Sequence, residues 1–121
     1  MKVAVIGASP NRKKFGNKAV RAYITHGDTV YPVNPNYAEI EGIHAYNSVL
    51  EIPDNLDRIT VYLPPEITLT LLNDIAKKEA REIFLNPGSE NNAVIRKGEE
   101  LGLNLFMICS ISDIGLSPDN F

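Results

Sequence analysis

Short apolar runs alternate along the chain with longer stretches in which apolar residues recur every three or four positions. The first run, Lys2 to Gly7, is continuously apolar after its lysine, which is typical of a strand buried on both faces of a parallel sheet. The spacing in the longer stretches is that of a helix with one apolar face. The predicted strands cover residues 2–7, 28–33, 58–63, 82–85 and 103–109. The predicted helices cover residues 15–26, 66–79 and a segment from Asn91 or Asn92 to Leu101.

Three segments do not follow this simple alternation. Residues 39–44 predict a short hairpin or turn, and residues 47–51 predict one helical turn capped by Asn47 or Ser48. Residues 110–121 show no clear period, so no element is predicted there.

Strands that alternate with helices at this spacing predict an α/β fold, a Rossmann-like three-layer α/β/α domain with a parallel five-stranded sheet. The chain has 121 residues, of which 44% are hydrophobic, enough for one core. Two domains would each be too small to stabilise easily, so residues 1–121 are predicted to form a single domain. In such sheets ligands bind beyond the carboxyl ends of the strands, where the strand order reverses.

Composition excludes several classes of protein. Cys109 is the only cysteine, which excludes an internal disulfide and fits a reducing cytoplasm. We see no secretory leader and no run close to the roughly 20 apolar residues of a membrane span. The net charge of −3 argues against a nucleic-acid partner. We therefore expect a soluble cytoplasmic protein that binds neither membranes nor nucleic acid.

The basic residues are unevenly distributed. Residues 10–21 contain five bases and no acid, whereas the rest of the chain holds all fifteen acids and seven of the twelve bases. One short basic segment on an acidic protein favours a small anionic ligand over a polyanion. The alternative interpretation is a solvated helix face that is basic.

The residues that follow the predicted strands collect at the expected ligand edge. Glycine, proline, asparagine and serine dominate there, and they let the backbone approach a ligand closely. Ordinary turn chemistry accounts for the prolines but less well for the Ala-Ser pair after the first strand. The segments are Gly7–Ser9, Asn34–Pro35, Leu63–Pro65, Asn86–Gly88 and Cys109.

The first strand, loop and helix predict a phosphate site at a helix N-terminus. The loop does not fit the NAD pattern, because Ser9 stands at the second glycine and Gly16 lies too far along to be the third. The second strand also ends in Asn34 and Pro35, without the acid that holds a ribose. The basic loop 9–16 suits a pyrophosphate and a 3′-phosphate, so coenzyme A, ATP and a flavin nucleotide all fit.

Several of these segments together resemble the small stand-alone CoA-binding proteins, which are similar to the N-terminal domain of the succinyl-CoA synthetase alpha subunit. The resemblance runs from residue 1 to about residue 109. It is carried by Val5–Asn11, Val33–Pro35, Tyr46–Ser48, Ile52–Pro53 and Val61–Pro65.

The resemblance implies coenzyme A as the ligand and three groups of contacts. One group would hold the phosphates, the second would line the adenosine side and the third would border the pantetheine arm. The phosphate group is Gly7, Ala8, Ser9, Arg12 and Lys14; the adenosine group is Val33, Asn34 and Pro35; the pantetheine group is Tyr62, Leu63, Pro64 and Pro65.

No catalytic or metal-binding group is predicted. His26 and His44 are interpreted as structural or exposed residues. Asp54, Asp57 and Asp113 have no identifiable partner, so no acid–base pair is assigned. Cys109 fits a small buried hydrophobe better than a thiol that exchanges with CoA. The expected function is therefore non-catalytic binding of coenzyme A or acyl-CoA, with no enzymatic activity.

Two alternatives remain open at this stage. One is an NAD-dependent or other nucleotide-binding redox regulator. The other is a protein-interaction module with a degenerate nucleotide site, because Asn36 stands where the stand-alone proteins often carry a base. The protein partner, if there is one, is unknown.

Overall fold

Seven strands and four α-helices form the fold, in a computed structural model that describes residues 1–121. The strands are β1 Lys2–Ile6, β2 Thr29–Val33, β3 Glu39–Ile40, β4 Ile43–His44, β5 Arg58–Val61, β6 Glu82–Leu85 and β7 Leu105–Phe106. The helices are α1 Phe15–His26, α2 Pro65–Lys78, α3 Asn92–Glu100 and α4 Ser110–Asp113. Single 3-10 turns lie at Val49–Glu51 and Pro118–Asn120.

Five of the strands form one parallel sheet in the order β2-β1-β5-β6-β7. At the carboxyl edge Ile6 of β1 pairs with Val33 on one side and Val61 on the other. The chain adds β2 at one side of β1 and then continues with β5 at the opposite side, so the strand order reverses between β1 and β5. The predicted α/β class and five-stranded parallel sheet are confirmed.

Each face of the sheet packs against helices, because side chains alternate between the faces along a strand. Val3 and Val5 of β1 are fully buried in one core, which also holds the apolar face of α1 and Ile111 of α4. Ala4 and Ile6 belong to the opposite core, which contains residues of α2 and α3. The first strand is continuously apolar because both of its faces are covered by helices.

The predicted hairpin and the predicted helical turn between β2 and β5 are both present. Strands β3 and β4 pair antiparallel as a two-residue hairpin. Of the two cap candidates for the turn Val49–Glu51, Ser48 is the one that caps, since its Oγ accepts from the Leu50 N–H at 3.2 Å.

Predicted boundaries differ most at the end of the chain. The predicted strand 103–109 contains only Leu105–Phe106 as a strand, because β7 is the edge of the sheet and pairs with β6 at two positions. Met107 and Ile108, which the pattern placed in that strand, are 46% and 44% exposed. The segment 110–121, where no element was predicted, contains α4 and a 3-10 turn. None of the helices combines the length and the apolar character needed to cross a membrane.

Candidate functional site

Two adjoining cavities lie at the carboxyl edge of the sheet, where β1 and β5 meet. The larger, of about 610 Å³, is the loop cavity, and the smaller, of about 410 Å³, is the α2 cavity. The loop cavity is lined by Ala8, Ser9, Lys14, Tyr62 and residues 87–89, among others. The α2 cavity is lined by Val33, Pro35, Val49, Ile67, Leu71 and Asp74, among others. The two share Gly7, Asn34, Asn36 and Leu63.

Two glycines allow α1 to begin directly against the loop after β1. Gly7 has a φ of +87°, and a Cβ there would lie 2.7 Å from the Tyr62 carbonyl oxygen. A Cβ at Gly16 would lie 2.1 Å from the Gly7 carbonyl oxygen, so only glycine fits. Gly16 does not match the NAD spacing, yet it provides the close helix-to-loop packing that a glycine provides in such sites. The sequence signal for this close packing is a glycine in the first turn of the predicted helix.

Four backbone N–H groups around the loop cavity have no hydrogen-bond partner within the protein, those of Ala8, Ser9, Phe15 and Gly16. Lys14 precedes α1 and provides no side-chain cap. Free amides and the positive end of the helix dipole both favour an anion at this position. The predicted phosphate site therefore has the required donors.

The conformation of the loop is fixed through its carbonyl oxygens. The buried side chain of Asn17 donates to the Ser9 carbonyl at 2.9 Å and to Glu41 Oε2 at 3.0 Å. Asn34 Nδ2 donates to the Ala8 carbonyl at 2.8 Å. Since these carbonyls have protein donors, the loop is held in place before any ligand arrives. Preorganised donors of this kind lower the cost of binding.

Only one of the five bases in residues 10–21 lines either of the two cavities. Lys14 lies at the loop cavity. Arg12, which is 66% exposed, lies 3.8 Å from Glu41 instead. Lys18 donates to a carbonyl of the C-terminal turn at 3.3 Å, and Arg21 donates to a side-chain oxygen within α1 at 2.7 Å. Most of the basic segment therefore supports the loop and the C-terminal turn, and a smaller part of it faces the cavity.

A buried polar network lies behind the loop cavity. The Tyr62 hydroxyl lies 2.9 Å from Ser110 Oγ, and burial raises the pKa of Tyr62 well above its usual value. Ser110 N–H donates to Asn86 Oδ1 at 2.8 Å, and Asn86 Nδ2 donates to Thr60 Oγ1 at 2.6 Å. The network connects α4 to the loop that follows β6. It places residues 87–89 at the cavity wall, beside the buried tyrosine.

The α2 cavity has a different character, because helix side chains form one of its walls. Ile67, Leu71 and Asp74 follow one another at spacings of four and three along α2, so they lie on one face of the helix. Val33 and Pro35 form the opposite wall, at the end of β2. The result is an apolar cavity with one carboxylate.

The structure brings ten of the twelve predicted site residues to one or both cavities. Arg12 and Pro65 line neither: Arg12 lies beside Glu41, and Pro65 is the first residue of α2, a position that suits proline. Sequence reasoning missed several wall residues, and for α2 the helical spacing itself was the available signal. The missed residues include Phe15, Gly16, Tyr37, Ser89, Ile67, Leu71 and Asp74.

Neither histidine lines the two cavities, and the site contains no cluster of metal ligands. His26 Nδ1 lies 2.7 Å from Asp28 at the opposite end of α1. Cys109 is partly buried against the core on the α1 face of the sheet. No group of three His, Cys, Asp or Glu residues could hold a metal ion. The ionisable side chains at the two cavities are Lys14, Tyr37, Tyr62 and Asp74.

The fold and the site define a class: a Rossmann-like α/β domain with a loop of unpartnered backbone amides at a cavity where the strand order reverses. Residues 1–112 match the family described as the CoA binding domain. The chain belongs to this family, which confirms the family predicted from the sequence motifs.

Relatives include both short proteins and parts of much longer enzymes. The chain is 40% identical over 77 residues to acetate–CoA ligase (ADP-forming) I of Archaeoglobus fulgidus, covering 64% of this chain and 11% of the ligase. It is 33% identical over 84 residues to the alpha subunit of acetate–CoA ligase (ADP-forming) II of Pyrococcus furiosus, covering 69% of this chain and 18% of that subunit. The chain thus spans between about a tenth and a fifth of the length of these relatives.

Solved structures show the same fold. A conserved hypothetical protein of Pyrococcus furiosus superposes with a TM-score of 0.87 at 34% identity, covering 93% of this chain and 97% of that one. An acetyl-coenzyme A synthetase of Candidatus Korarchaeum cryptofilum, in complex with phosphate and ADP, superposes with a TM-score of 0.78 at 25% identity. That match covers 88% of this chain and 25% of the synthetase chain.

Proposed function

We propose that the chain binds coenzyme A or an acyl-CoA and does not convert it chemically. The observation that carries this proposal is the loop cavity, whose lining residues include Lys14 and four residues with unpartnered backbone amides around the start of α1. A diphosphate carries the negative charge that such a site favours. The family and the CoA-dependent names of the related ligases support coenzyme A over other diphosphates.

The two cavities suggest how the ligand lies. The diphosphate occupies the loop cavity beside Ser9. The adenosine enters the α2 cavity, whose apolar walls suit a flat ring. The pantetheine arm passes Tyr62 and Pro64 toward residues 87–89. Under this arrangement the two halves of the ligand diverge from the loop at Gly7.

The absence of catalysis is part of the proposal. Among the ionisable groups at the cavities, the pKa of Tyr62 is raised by burial, so it is a poor base near neutral pH. Lys14 and Asp74 line different cavities and form no hydrogen bond or ion pair with each other. The chain would therefore hold a CoA ligand for chemistry carried out elsewhere.

Calorimetric titration of the purified protein with CoA, acetyl-CoA, ATP and NAD tests the proposal. We expect dissociation constants for CoA and acetyl-CoA on the order of micromolar, similar for both because the thiol lies far from the diphosphate. ATP and NAD should bind more weakly. Tighter binding of NAD than of CoA would contradict the proposal and favour the redox regulator, despite Asn34 at the position of the ribose acid.

A matched pair of variants locates the phosphates. Lys14→Ala removes the one base at the loop cavity, so we expect the affinity for CoA to fall about tenfold, as for one charge-assisted hydrogen bond. Arg12→Ala removes the same charge from the base beside Glu41 and should change the affinity by less than about threefold. Equal losses in the two variants would show that the basic segment acts through its overall charge.

A further inference from the structure

Asp74 is the only carboxylate at either cavity, and it has no protein partner. It is half-buried, lines the α2 cavity, and forms no hydrogen bond or ion pair. Lys78, one helical turn further on, is placed to pair with it but donates to the Ile52 carbonyl instead. The carboxylate is therefore left to face the cavity.

An unpartnered carboxylate beside apolar walls has a chemical consequence. A carboxylate only accepts hydrogen bonds, and removing it from water is unfavourable unless a donor replaces the water. Leu71 and Ile67, its neighbours on the same helix face, offer no donor. A ligand that covers Asp74 therefore binds better if it brings an N–H or O–H group to the carboxylate.

The other polar side chains at this cavity are those of Asn34, Asn36, Asn47 and Ser48, and they differ in the hydrogen bonds that they already form. The side chain of Asn34, at the end of β2, already forms hydrogen bonds within the protein: Nδ2 donates to the Ala8 carbonyl, and Oδ1 accepts from the Asn36 N–H. Ser48 Oγ accepts from the Leu50 N–H, which leaves its own proton free to donate. The cavity thus combines a carboxylate acceptor, a hydroxyl donor, the side-chain amides of Asn36 and Asn47, and apolar walls.

We propose that Asp74 accepts a hydrogen bond from the exocyclic amine of adenine, and so selects adenine over 6-oxopurine bases. This inference rests on the proposed function, since it concerns the base of the same ligand. Adenine is flat and apolar on its faces, presents an amine donor on one edge, and has ring nitrogens that accept from a hydroxyl such as that of Ser48. A ribose 3′-phosphate, by contrast, would be repelled by the carboxylate.

The test compares CoA with deaminated CoA, in which hypoxanthine replaces adenine: an oxygen replaces the amine, and the neighbouring ring nitrogen N1 changes from an acceptor to an N–H donor. That oxygen would face the carboxylate, so we expect calorimetry to show at least about tenfold tighter binding of CoA by the unmodified protein. The variant Asp74→Asn removes the charge and can turn its own amine toward the oxygen. We expect its preference for CoA to fall to about threefold or less, mainly through tighter binding of the deaminated ligand.

Glu66→Gln is the matched control, because Glu66 lies on the same helix but lines neither cavity. It should keep the full preference for CoA. The inference is overturned if the unmodified protein binds the two ligands equally, or if Asp74→Asn keeps the original preference. Those results leave CoA binding itself intact, whereas no binding of either ligand would overturn the proposed function together with this inference.

Discussion

The loop cavity and the α2 cavity meet at Gly7 and Leu63, yet they are built from different parts of the chain. Backbone N–H groups around the start of α1 supply four free donors at the loop cavity, beside the polar side chains of Ser9, Lys14 and Tyr62. The α2 cavity is formed by side chains, on the face of α2 that carries Ile67 and Leu71. A backbone site depends on where a helix begins, whereas a side-chain site depends on which residues the helix presents.

This difference decides which substitutions disrupt each half of the site. Most side chains of the loop can change without removing its amide donors, provided that the loop keeps its path. The path itself depends on the close contact between Gly16 and Gly7. In the α2 cavity a single side chain changes the surface that the ligand meets, while the backbone stays as it is.

The largest effect is expected from Gly16→Ala, which displaces the backbone of the loop cavity. Its Cβ would lie 2.1 Å from the Gly7 carbonyl oxygen, and a backbone atom cannot move aside easily. We expect the free energy of unfolding, measured by urea denaturation, to fall by about 2 kcal/mol or more, as in overpacked cores. Binding of CoA to the remaining folded protein should fall below detection, because α1 no longer meets the loop.

Gly98→Ala is the control for this substitution. Gly98 also lies within a helix, but its Cβ would meet the Leu105 side chain, at 2.6 Å from Cδ1, and that side chain is partly exposed and can rotate. We expect a change of less than about 1 kcal/mol, since alanine also favours the helix. Normal CoA binding by the Gly16 variant would mean that the loop does not depend on this contact.

An intermediate effect is expected from Ile67→Glu, which changes only the α2 cavity. Ile67 is 48% exposed, so the fold tolerates the change, but a second carboxylate then enters a cavity that suits an apolar ring. We expect CoA affinity to fall more than about tenfold while the affinity for inorganic diphosphate stays the same. Leu69→Glu, on the same helix and 37% exposed but outside both cavities, should leave both affinities unchanged. Parallel loss of diphosphate binding would show that the cavities do not act separately.

The loop cavity was predictable from the sequence because its determinants are local. An apolar strand, Gly7-Ala-Ser9 and a helix follow one another directly, and backbone geometry then places free amides at the helix start. The strands and helices were predictable for the same reason, since each is indicated by the spacing of apolar residues within its own segment. The rule that ligands bind at the carboxyl ends of the strands predicted that residues 34–35 and 63–64 lie near the loop. These residues do line the cavities.

The remaining features depend on contacts between distant residues. Arg12 was expected at the phosphates, but Glu41 of the β3–β4 hairpin lies beside it, and no local pattern pairs the two. The short β7 reflects its position at the sheet edge, which its own apolar composition does not reveal. Asp74 lines a cavity only because tertiary packing brings α2 and the end of β2 to the same cavity. Sequence periodicity identifies the face of a helix, and tertiary packing decides what that face meets.

The smallest effect concerns the neutral tyrosine of the loop cavity. Burial raises the pKa of Tyr62 in the folded protein, so above about pH 10 the unfolded chain ionises first. The unfolded state then binds fewer protons than the folded state, and stability falls as the pH rises. In Tyr62→Phe we expect stability about 1 kcal/mol lower at neutral pH, because the bond to Ser110 is lost. We also expect a decline between about pH 10 and pH 11 that is smaller by up to about 1 kcal/mol.

Urea denaturation at successive pH values measures this difference, and the stability curves of the two proteins should converge at alkaline pH. Part of the decline will remain in the variant, because the hydrogen bond to Asp54 raises the pKa of Tyr31 to about 12 and that tyrosine lies outside both cavities. Tyr37→Phe is the control for loss of a tyrosine hydroxyl, since its side chain is 44% exposed, and it should leave the stability at neutral pH unchanged. Parallel curves for Tyr62→Phe and the unmodified protein would mean that the hydroxyl beside Ser110 ionises as readily as one in water, and that the loop cavity is less well shielded than its buried network indicates.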